Sequence, residues 1–351
     1  MIHNLLEKTA EAARDMGMAN IGLYHRSSTN GKYEGDLPIE NINKYSDVLS
    51  GLTEGSIKVL GGTQWMWSRP DFVQAVDVLI VDEAGQMSLA NVLASAPAAK
   101  SLILLGDPQQ LEQPIQSAHP EGSDVAALKH WLGEHETMPV DRGLFLDETW
   151  RLHPDICEFT SEIYYESKLS SRPNLVNQTI RGSEALSGSG LRFIPVNHTG
   201  NTARSTEEAN LIAGLVAQLS SGEVTFVDQH DEERDLQRTD ILIVAPYNAQ
   251  VATLKEKLPE LANQIGTVDR FQGQEAPVVI YSMTSSTPED APRGMEFLYN
   301  PNRFNVATSR ARALCLLVGN PSLLEPTCRT PAQIRMANGF CRYREMAYIE
   351  R

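Results

Sequence analysis

The stretch VLIVDEAGQMSLANVLASAPAAKSLILLGDPQQLEQP, residues 78–114, decides the fold that this sequence predicts. It holds two short apolar runs, residues 78–81 and 102–105, separated by an alanine-rich segment. Runs of this length and composition are typical of strands that are buried on both faces of a parallel sheet. The stretch therefore predicts two neighbouring parallel strands in an α/β fold.

Acidic and amide side chains follow both runs. Asp82 and Glu83 come directly after the first run, and Asp107 and Gln110 come shortly after the second. Because ligands of open α/β sheets lie beyond the carboxyl ends of the strands, we expect these side chains to converge on one crevice. A strand-end Asp can hold Mg²⁺, usually through water, and an adjacent Glu can orient an attacking water, so the pattern indicates nucleotide hydrolysis. The alternative, a strand that simply ends at solvated acids, does not explain the second run and its GDPQQL phrase.

Length and composition predict the general class of the protein. The 351 residues favour two domains, each large enough to bury a core of its own. No apolar run approaches the length of a membrane span, and the acidic, amphipathic start does not resemble a signal peptide. The four cysteines form no CxxC pair, so the sequence indicates neither a zinc nor an iron–sulfur site and fits a reducing cytoplasm.

The charge is acidic overall but unevenly spread. A net charge of −15 argues against a broad nucleic-acid clamp. Residues 300–351 nevertheless hold 8 arginines and 3 acidic side chains, so phosphate chemistry is expected near this stretch. A solvated arginine-rich surface explains the residues beyond Cys328 equally well.

A phosphate-binding P-loop, GxxxxGK followed by Ser or Thr, should accompany such acidic strand ends. The sequence contains none, since GLTEGSIK at residues 51–58 has its glycines and lysine at the wrong spacing. Three lost hydrogen bonds to charged phosphates would cost roughly 5–9 kcal/mol, or four to six decades of affinity. We therefore expect this chain alone to bind ATP negligibly.

Three phrases in the second half of the chain are the most specific. They are FLDETWRLHP, IGTVDRFQGQEAPVVIYSM and RFNVATSRARALCLLVGN, at residues 145–154, 265–283 and 303–320. DEAGQ and GDPQQL resemble motifs II and III of the superfamily 1 helicases, and the three phrases resemble motifs IV, V and VI, in the order of that family. The chain is similar to the 1B group of this superfamily. HPEGSD, LDETWRLHP and CRTPAQIRMAN resemble the helicase portion of bacterial RecB-like nuclease–helicase fusions, of which this chain would be the C-terminal part.

The resemblance implies catalytic roles for four residues. Glu83 would orient the attacking water, and Gln110 would sense the γ-phosphate. Arg151 and Arg310 would neutralise the charge that develops on the transferred phosphoryl group, a contribution worth about 10³–10⁵ in rate where it has been measured. The alternative for Arg151 is an ordinary surface arginine.

The resemblance also implies binding residues. Asp82 would hold Mg²⁺ and ATP, Gly273 would permit close backbone approach, and Glu275 would accept hydrogen bonds from a ribose hydroxyl. The residues implied to contact nucleic acid are Thr63, Tyr247, Asn248, Gln250 and Thr267, with Asp269 and Gln272 lying toward the nucleic acid or the other lobe. Tyr247, Asn248 and Gln250 could equally be turn and helix-cap residues.

Taken together, the sequence predicts an α/β protein with two RecA-like P-loop NTPase lobes, residues 1–139 and 140–351, the first lacking its N-terminal P-loop strand. The function that the resemblance implies is that of an ATP-dependent helicase motor, using ATP and Mg²⁺ on single-stranded DNA or RNA. An upstream nuclease or P-loop segment would be its partner. The alternatives are a non-enzymatic helicase-like adaptor and the second half of a split helicase.

Overall fold

The chain folds into two compact units. A computed structural model describes residues 2–18, 21–27, 32–111, 123–183, 185–271 and 273–349. Unit 1 comprises Met1–Pro108 and Glu112–Gly133, whereas unit 2 comprises Gln109–Leu111 and Glu134–Arg351. The predicted α/β class with parallel sheets and flanking helices is confirmed in the described residues. Among them, no helix has both the length and the apolar character needed to cross a membrane.

Unit 1 contains two small parallel sheets and five helices among its described residues. The strands are β1 (Leu23–Arg26), β2 (Ile39–Ile42), β3 (Val59–Gly61), β4 (Val76–Val81) and β5 (Ala99–Leu104). The helices are α1 (Ile2–Asp15), α2 (Tyr45–Glu54), α3 (Gln64–Trp67), α4 (Leu89–Ser95) and α5 (Ala127–Leu132). One sheet has the order β2-β1-β3, and the other pairs β4 with β5.

The prediction that β4 and β5 are buried on both faces is wrong for the described residues. Ile80 is 52% exposed and Ile103 is 45% exposed, although Leu79 and Val81 are buried. The physical reason is that, within the described ranges, these two strands pair only with each other. A strand buried on both faces needs neighbours on both edges and helices on both faces.

Unit 2 is built on one large parallel sheet. Its strands are β6 (Glu148–Thr149), β7 (Ser170–Ser171), β8 (Thr179–Arg181), β9 (Gly190–Pro195), β10 (Thr225–Val227), β11 (Glu233–Asp235), β12 (Ile241–Val244), β13 (Ile265–Gly266), β14 (Ala276–Ser282), β15 (Ala311–Gly319) and β16 (Tyr348–Ile349). Its helices are α6 (Pro154–Tyr164), α7 (Thr206–Leu219), α8 (Asn248–Lys257), α9 (Met295–Leu298), α10 (Pro301–Thr308) and α11 (Pro331–Met346). Six strands form the parallel sheet, in the order β13-β12-β14-β15-β9-β16.

The large sheet of unit 2 separates two hydrophobic clusters. Alternate residues of β14 join different clusters, because successive side chains of a strand point to opposite faces. Val279 and Tyr281 pack with Phe304, whereas Val278 and Ile280 pack with Ile212. Every residue of β14 is buried, which explains the unbroken apolar run in the sequence. The carboxyl ends of these strands are therefore held on a rigid support.

Candidate functional site

The acidic residues after β4 lie in a tight turn of unit 1. The Asp82 carboxylate accepts a hydrogen bond from the Glu83 N–H at 3.0 Å, and the Glu83 carboxylate accepts one from the Gln86 amide at 2.7 Å. Glu83 has a φ of 55°, a left-handed conformation that is strained in residues other than glycine. Both carboxylates stay partly exposed, so they remain available to a ligand.

The turn after β4 packs directly on the turn after β5. The strands are paired in parallel with Val81 opposite Leu104. A Cβ atom at Gly85 would lie 2.3 Å from the Asp107 carbonyl oxygen, and one at Gly106 would lie 2.7 Å from the Gly85 nitrogen. Only glycine allows this backbone contact. The two strand ends of unit 1 therefore meet, as their parallel pairing predicts.

Asp82 has the chemistry that a magnesium site requires. Mg²⁺ prefers carboxylate and water oxygens and is usually bound through one or two carboxylates plus substrate phosphates. Asp82 offers such a carboxylate at the end of a strand, partly exposed. Over the described ranges, no group of three or more His, Cys, Asp and Glu side chains is gathered to hold a metal. The Asp82 carboxylate thus fits a Mg²⁺ ion whose other ligands would be water and the phosphate oxygens of a nucleotide.

Residues 109–111, after β5, belong to unit 2, where they are hydrogen-bonded to α10 and to Arg310, two residues beyond the end of that helix. Asn305 donates a hydrogen bond to the Gln109 carbonyl at 2.9 Å, and Asn302 donates one to the Gln110 carbonyl at 2.8 Å. The Arg310 guanidinium donates to the Gln110 side-chain oxygen at 3.0 Å. The structure therefore brings together two residues, Gln110 and Arg310, that lie 200 positions apart in the chain.

Arg151 and Glu275 bind each other. The Arg151 Nε atom lies 2.5 Å from a Glu275 carboxylate oxygen, and its Nη1 atom donates to the Ser309 carbonyl at 3.4 Å. Arg312 approaches the same carboxylate at 4.0 Å. Both partners of the pair are partly exposed, at 30% and 42% of their side chains. A ribose or phosphate group that used either residue in its predicted role would have to compete with this ion pair.

Gln178 joins Arg151 and Arg312 and was missed by the sequence reasoning. Its side-chain amide donates to the Arg151 carbonyl at 2.8 Å and to the Arg312 carbonyl at 3.3 Å. Its oxygen accepts from the Arg312 Nε at 3.0 Å. Gln178 is fully buried. Nothing in the local sequence distinguishes it, because its partners come from the chain before α6 and from β15.

Gly273 has a conformational reason to be glycine. Its φ is 76°, which other residues rarely adopt, and a Cβ atom there would meet nothing within 4 Å. No described protein atom therefore approaches the Gly273 backbone closely on this side, and the prediction that a ligand approaches it stays a prediction. The neighbouring Gln272 lies outside the described residues.

Three of the predicted nucleic-acid residues line one groove of unit 2. The groove has a volume of about 300 Å³ and lies beyond the carboxyl ends of β12 and β13. Tyr247, Asn248 and Thr267 line it, together with Ala203, Pro246, Ala249, Asp269, Arg293, Phe297 and Arg303. Burial, which outweighs the opposing effects of Ser285 and Arg293, raises the pKa of the Tyr247 phenol. The Tyr247 phenol is therefore neutral at physiological pH, and its side chain is largely buried.

The predicted contact of Gln250 with nucleic acid is wrong in this structure. Gln250 is fully buried, and its side chain accepts from the Ser205 N–H at 2.7 Å and donates to the Ser282 hydroxyl at 3.0 Å. Since α8 begins at Asn248, the third residue of the helix points inward rather than into the groove. Thr63, by contrast, is exposed at the start of α3 in unit 1, where its side chain makes no cap hydrogen bond.

Comparison with known protein families identifies the chain. The family model described as "AAA domain" matches residues 130–322, more than half of the sequence. The chain belongs to this AAA domain family. A second model, the "Viral superfamily 1 RNA helicase core domain", matches residues 63–187. The two matches place this AAA domain chain among the superfamily 1 helicase domains.

Several curated relatives of the AAA domain chain are named as helicases. It is 29% identical over 265 residues to "Probable helicase MAGATAMA 3" of Arabidopsis thaliana, covering 71% of this chain and 31% of that protein. It is 28% identical over 263 residues to "DNA polymerase alpha-associated DNA helicase A" of Schizosaccharomyces pombe, covering 72% and 38%. The chain thus spans about a third of the length of these relatives. The arterivirus nonstructural protein 10 helicase is 14% identical, with a TM-score of 0.39, and the match covers 89% of this chain and 50% of that one.

Proposed function

We propose that the chain is part of an ATP-dependent superfamily 1 helicase motor that moves on single-stranded nucleic acid, with DNA the favoured substrate. The observation that carries the proposal is the hydrogen bond between Gln110 and Arg310 in unit 2. Gln110 follows β5 in the sequence but belongs to unit 2, so the residue proposed to sense the γ-phosphate touches an arginine of its own unit.

Each residue then has one task in hydrolysis. Asp82 holds Mg²⁺, which when bound neutralises charge on the phosphate oxygens. Glu83 orients the attacking water, and Gln110 reports the presence of the γ-phosphate. Arg310 and Arg151 stabilise the negative charge that develops on the transferred phosphoryl group, Arg151 after leaving Glu275.

The P-loop would come from a segment that these 351 residues do not include. The exposed apolar side chains of β4 and β5 support this view, because they are what a sheet lacking a further strand and the helix that covers it would show. Such a segment could belong to the same protein, as in RecB-like nuclease–helicase fusions, or to a separate one. Without it, the roughly 5–9 kcal/mol of phosphate binding is missing and ATP affinity is negligible.

The test adds a P-loop segment to the chain and measures ATP hydrolysis with and without single-stranded DNA. We expect DNA-stimulated hydrolysis that disappears in Glu83→Gln and in a variant whose P-loop lysine is replaced by alanine. The unextended chain should bind ATP too weakly for calorimetry. Absence of hydrolysis in an extended, folded protein would refute the proposal, and micromolar binding by the unextended chain would refute the role of the missing P-loop.

A non-enzymatic adaptor is the second candidate. The groove of unit 2 favours it, because every residue that lines the groove belongs to unit 2 and none of them has a predicted role in ATP binding. An adaptor would bind single-stranded DNA with the same affinity whether or not ATP is present. It would also resist limited proteolysis over both units, whereas an incomplete motor would be cleaved first in unit 1.

A further inference from the structure

The groove of unit 2 has a wall of aromatic and cationic side chains. The Phe297 and Tyr247 rings are stacked, with centroids 5.6 Å apart and planes inclined by 28°. The guanidinium carbons of Arg293 and Arg303 each lie 4.6 Å from the Phe297 ring centroid. A guanidinium on an aromatic face keeps its N–H groups free for an anion while its orientation is restricted.

The two arginines differ in what neutralises their charge. Arg303 pairs with Asp269 at 3.1 Å, and only 20% of its side chain is exposed. Arg293 is exposed, and among the residues that the structure describes no carboxylate pairs with it. The side chains that line the groove thus carry one uncompensated positive charge in a chain whose net charge is −15. This local excess favours an anionic ligand.

The start of α8, which also lines the groove, suits an anion as well. Asn248 and Ala249, the first two residues of α8, line it, and Tyr247 at the helix start makes no side-chain cap hydrogen bond. The first N–H groups of a helix have no partner within the helix and carry partial positive charge. A volume of about 300 Å³ is at the lower end for ligand sites, which suits one phosphate and its sugar.

We infer that Arg293 binds one backbone phosphate of single-stranded nucleic acid in this groove, and that Phe297 is a positioning residue that holds the Arg293 guanidinium toward it. The inference rests on the proposed function, because it takes the strand to pass through the groove of unit 2. Arg293 lies just before α9 and Phe297 lies on it, and both are outside every phrase that pointed to function in the sequence.

The experiment titrates the intact chain with a fluorescently labelled oligothymidylate at several salt concentrations. Arg293→Ala should weaken binding about tenfold or more, since it removes a charged hydrogen bond. The slope of log affinity against log salt should become shallower by about 0.7, the value for one phosphate contact on a single strand. Phe297→Leu should weaken binding less, and adding it to Arg293→Ala should cost nothing further, because both act on one contact.

Arg335→Ala is the matched control. Arg335 is an exposed arginine of α11 that does not line the groove, so its loss removes the same charge without the contact. Equal weakening by Arg335→Ala and Arg293→Ala would overturn the inference in favour of long-range attraction. A competition with inorganic phosphate is the second control. If phosphate displaces the oligonucleotide more strongly than chloride does at equal ionic strength, the inference is overturned in favour of a site for free anions.

The proposed function and this inference fail in different ways. If the unchanged chain does not bind the oligonucleotide, both are overturned. If it binds and Arg293→Ala binds equally well, only the inference is overturned. Because Arg293 is exposed, its variant should keep the thermal unfolding midpoint of the unchanged chain, which circular dichroism verifies.

Discussion

Replacing Gln178 tests whether the arginines of unit 2 are held by a buried amide. The substitution Gln178→Leu keeps the side-chain volume approximately but removes one donor group and one acceptor. The Arg151 carbonyl loses its 2.8 Å bond, and the Arg312 guanidinium loses its 3.0 Å bond. We expect unit 2 to lose stability and the two arginines to lose their fixed separation.

The magnitude follows from the two shorter hydrogen bonds. A buried polar group left without a partner costs about 1–3 kcal/mol. The 3.3 Å bond to the Arg312 carbonyl adds little. The Arg312 side chain is 24% exposed, so water can replace part of its loss. The expected decrease in the free energy of unfolding of unit 2 is therefore about 2–4 kcal/mol.

Hydrogen exchange read by mass spectrometry measures this decrease and supplies its own control. Peptides from β14 and β15 should exchange faster in Gln178→Leu, by the factor that 2–4 kcal/mol implies, roughly 30- to 900-fold. Peptides from unit 1 should not change. Asn177→Leu alters the exposed neighbouring amide and should stay within about 0.5 kcal/mol of the unchanged chain. An equally small effect of Gln178→Leu would refute the reasoning.

Three other predictions concern single side chains of unit 2. Burial lowers the pKa of His153 more than Asp155 raises it, so the unfolded chain takes up the proton first. The free energy of unfolding should therefore be highest above about pH 6.5 and should fall as the pH drops below that value. Urea unfolding would measure this fall, which should be smaller in His153→Asn. Asp269→Asn frees Arg303 from its ion pair and should tighten oligothymidylate binding up to about fivefold at low salt, as measured by anisotropy. Burial raises the pKa of the Cys157 thiol to about 11 and that of Cys315 to about 12, so neither should be alkylated at neutral pH before unfolding, as mass spectrometry would detect.

Each of these predictions has a contradicting outcome. An unchanged pH dependence in His153→Asn would show that another group titrates, because asparagine can still cap α6. Weaker oligonucleotide binding by Asp269→Asn would mean that Asp269 itself contacts the strand. Rapid alkylation of Cys157 or Cys315 in the folded chain, at the rate of the partly exposed Cys328, would contradict their burial.

The strand-end acids illustrate what could be predicted. The rule that ligand groups follow the carboxyl ends of parallel strands placed Asp82 next to the turn that contains Asp107, and Gly85 confirms the contact. The rule works because parallel pairing fixes which ends are neighbours. The separate prediction, from the apolar runs, that β4 and β5 are buried on both faces failed, since burial depends on what covers a strand and not on its own residues alone.

Gln250 and Phe297 illustrate what could not be predicted. The direction of Gln250 depends on where α8 begins, and a helix rotates about 100° per residue, so an uncertain start leaves the direction open. Phe297 became part of the groove only because α9 packs beside Tyr247. Neither fact is visible in a local phrase.

The sequence by itself determined the α/β class, the family and the types of side chain available for phosphate chemistry, because strand periodicity and short phrases are local properties of the chain. Only the tertiary structure decided which of these side chains meet: Gln110 with Arg310, Arg151 with Glu275, and Gln178 with the backbone of Arg151. These pairs are separated by 200, 124 and 27 positions. Hydrogen bonds over such separations depend on how helices and strands pack, and packing is a property of the whole fold.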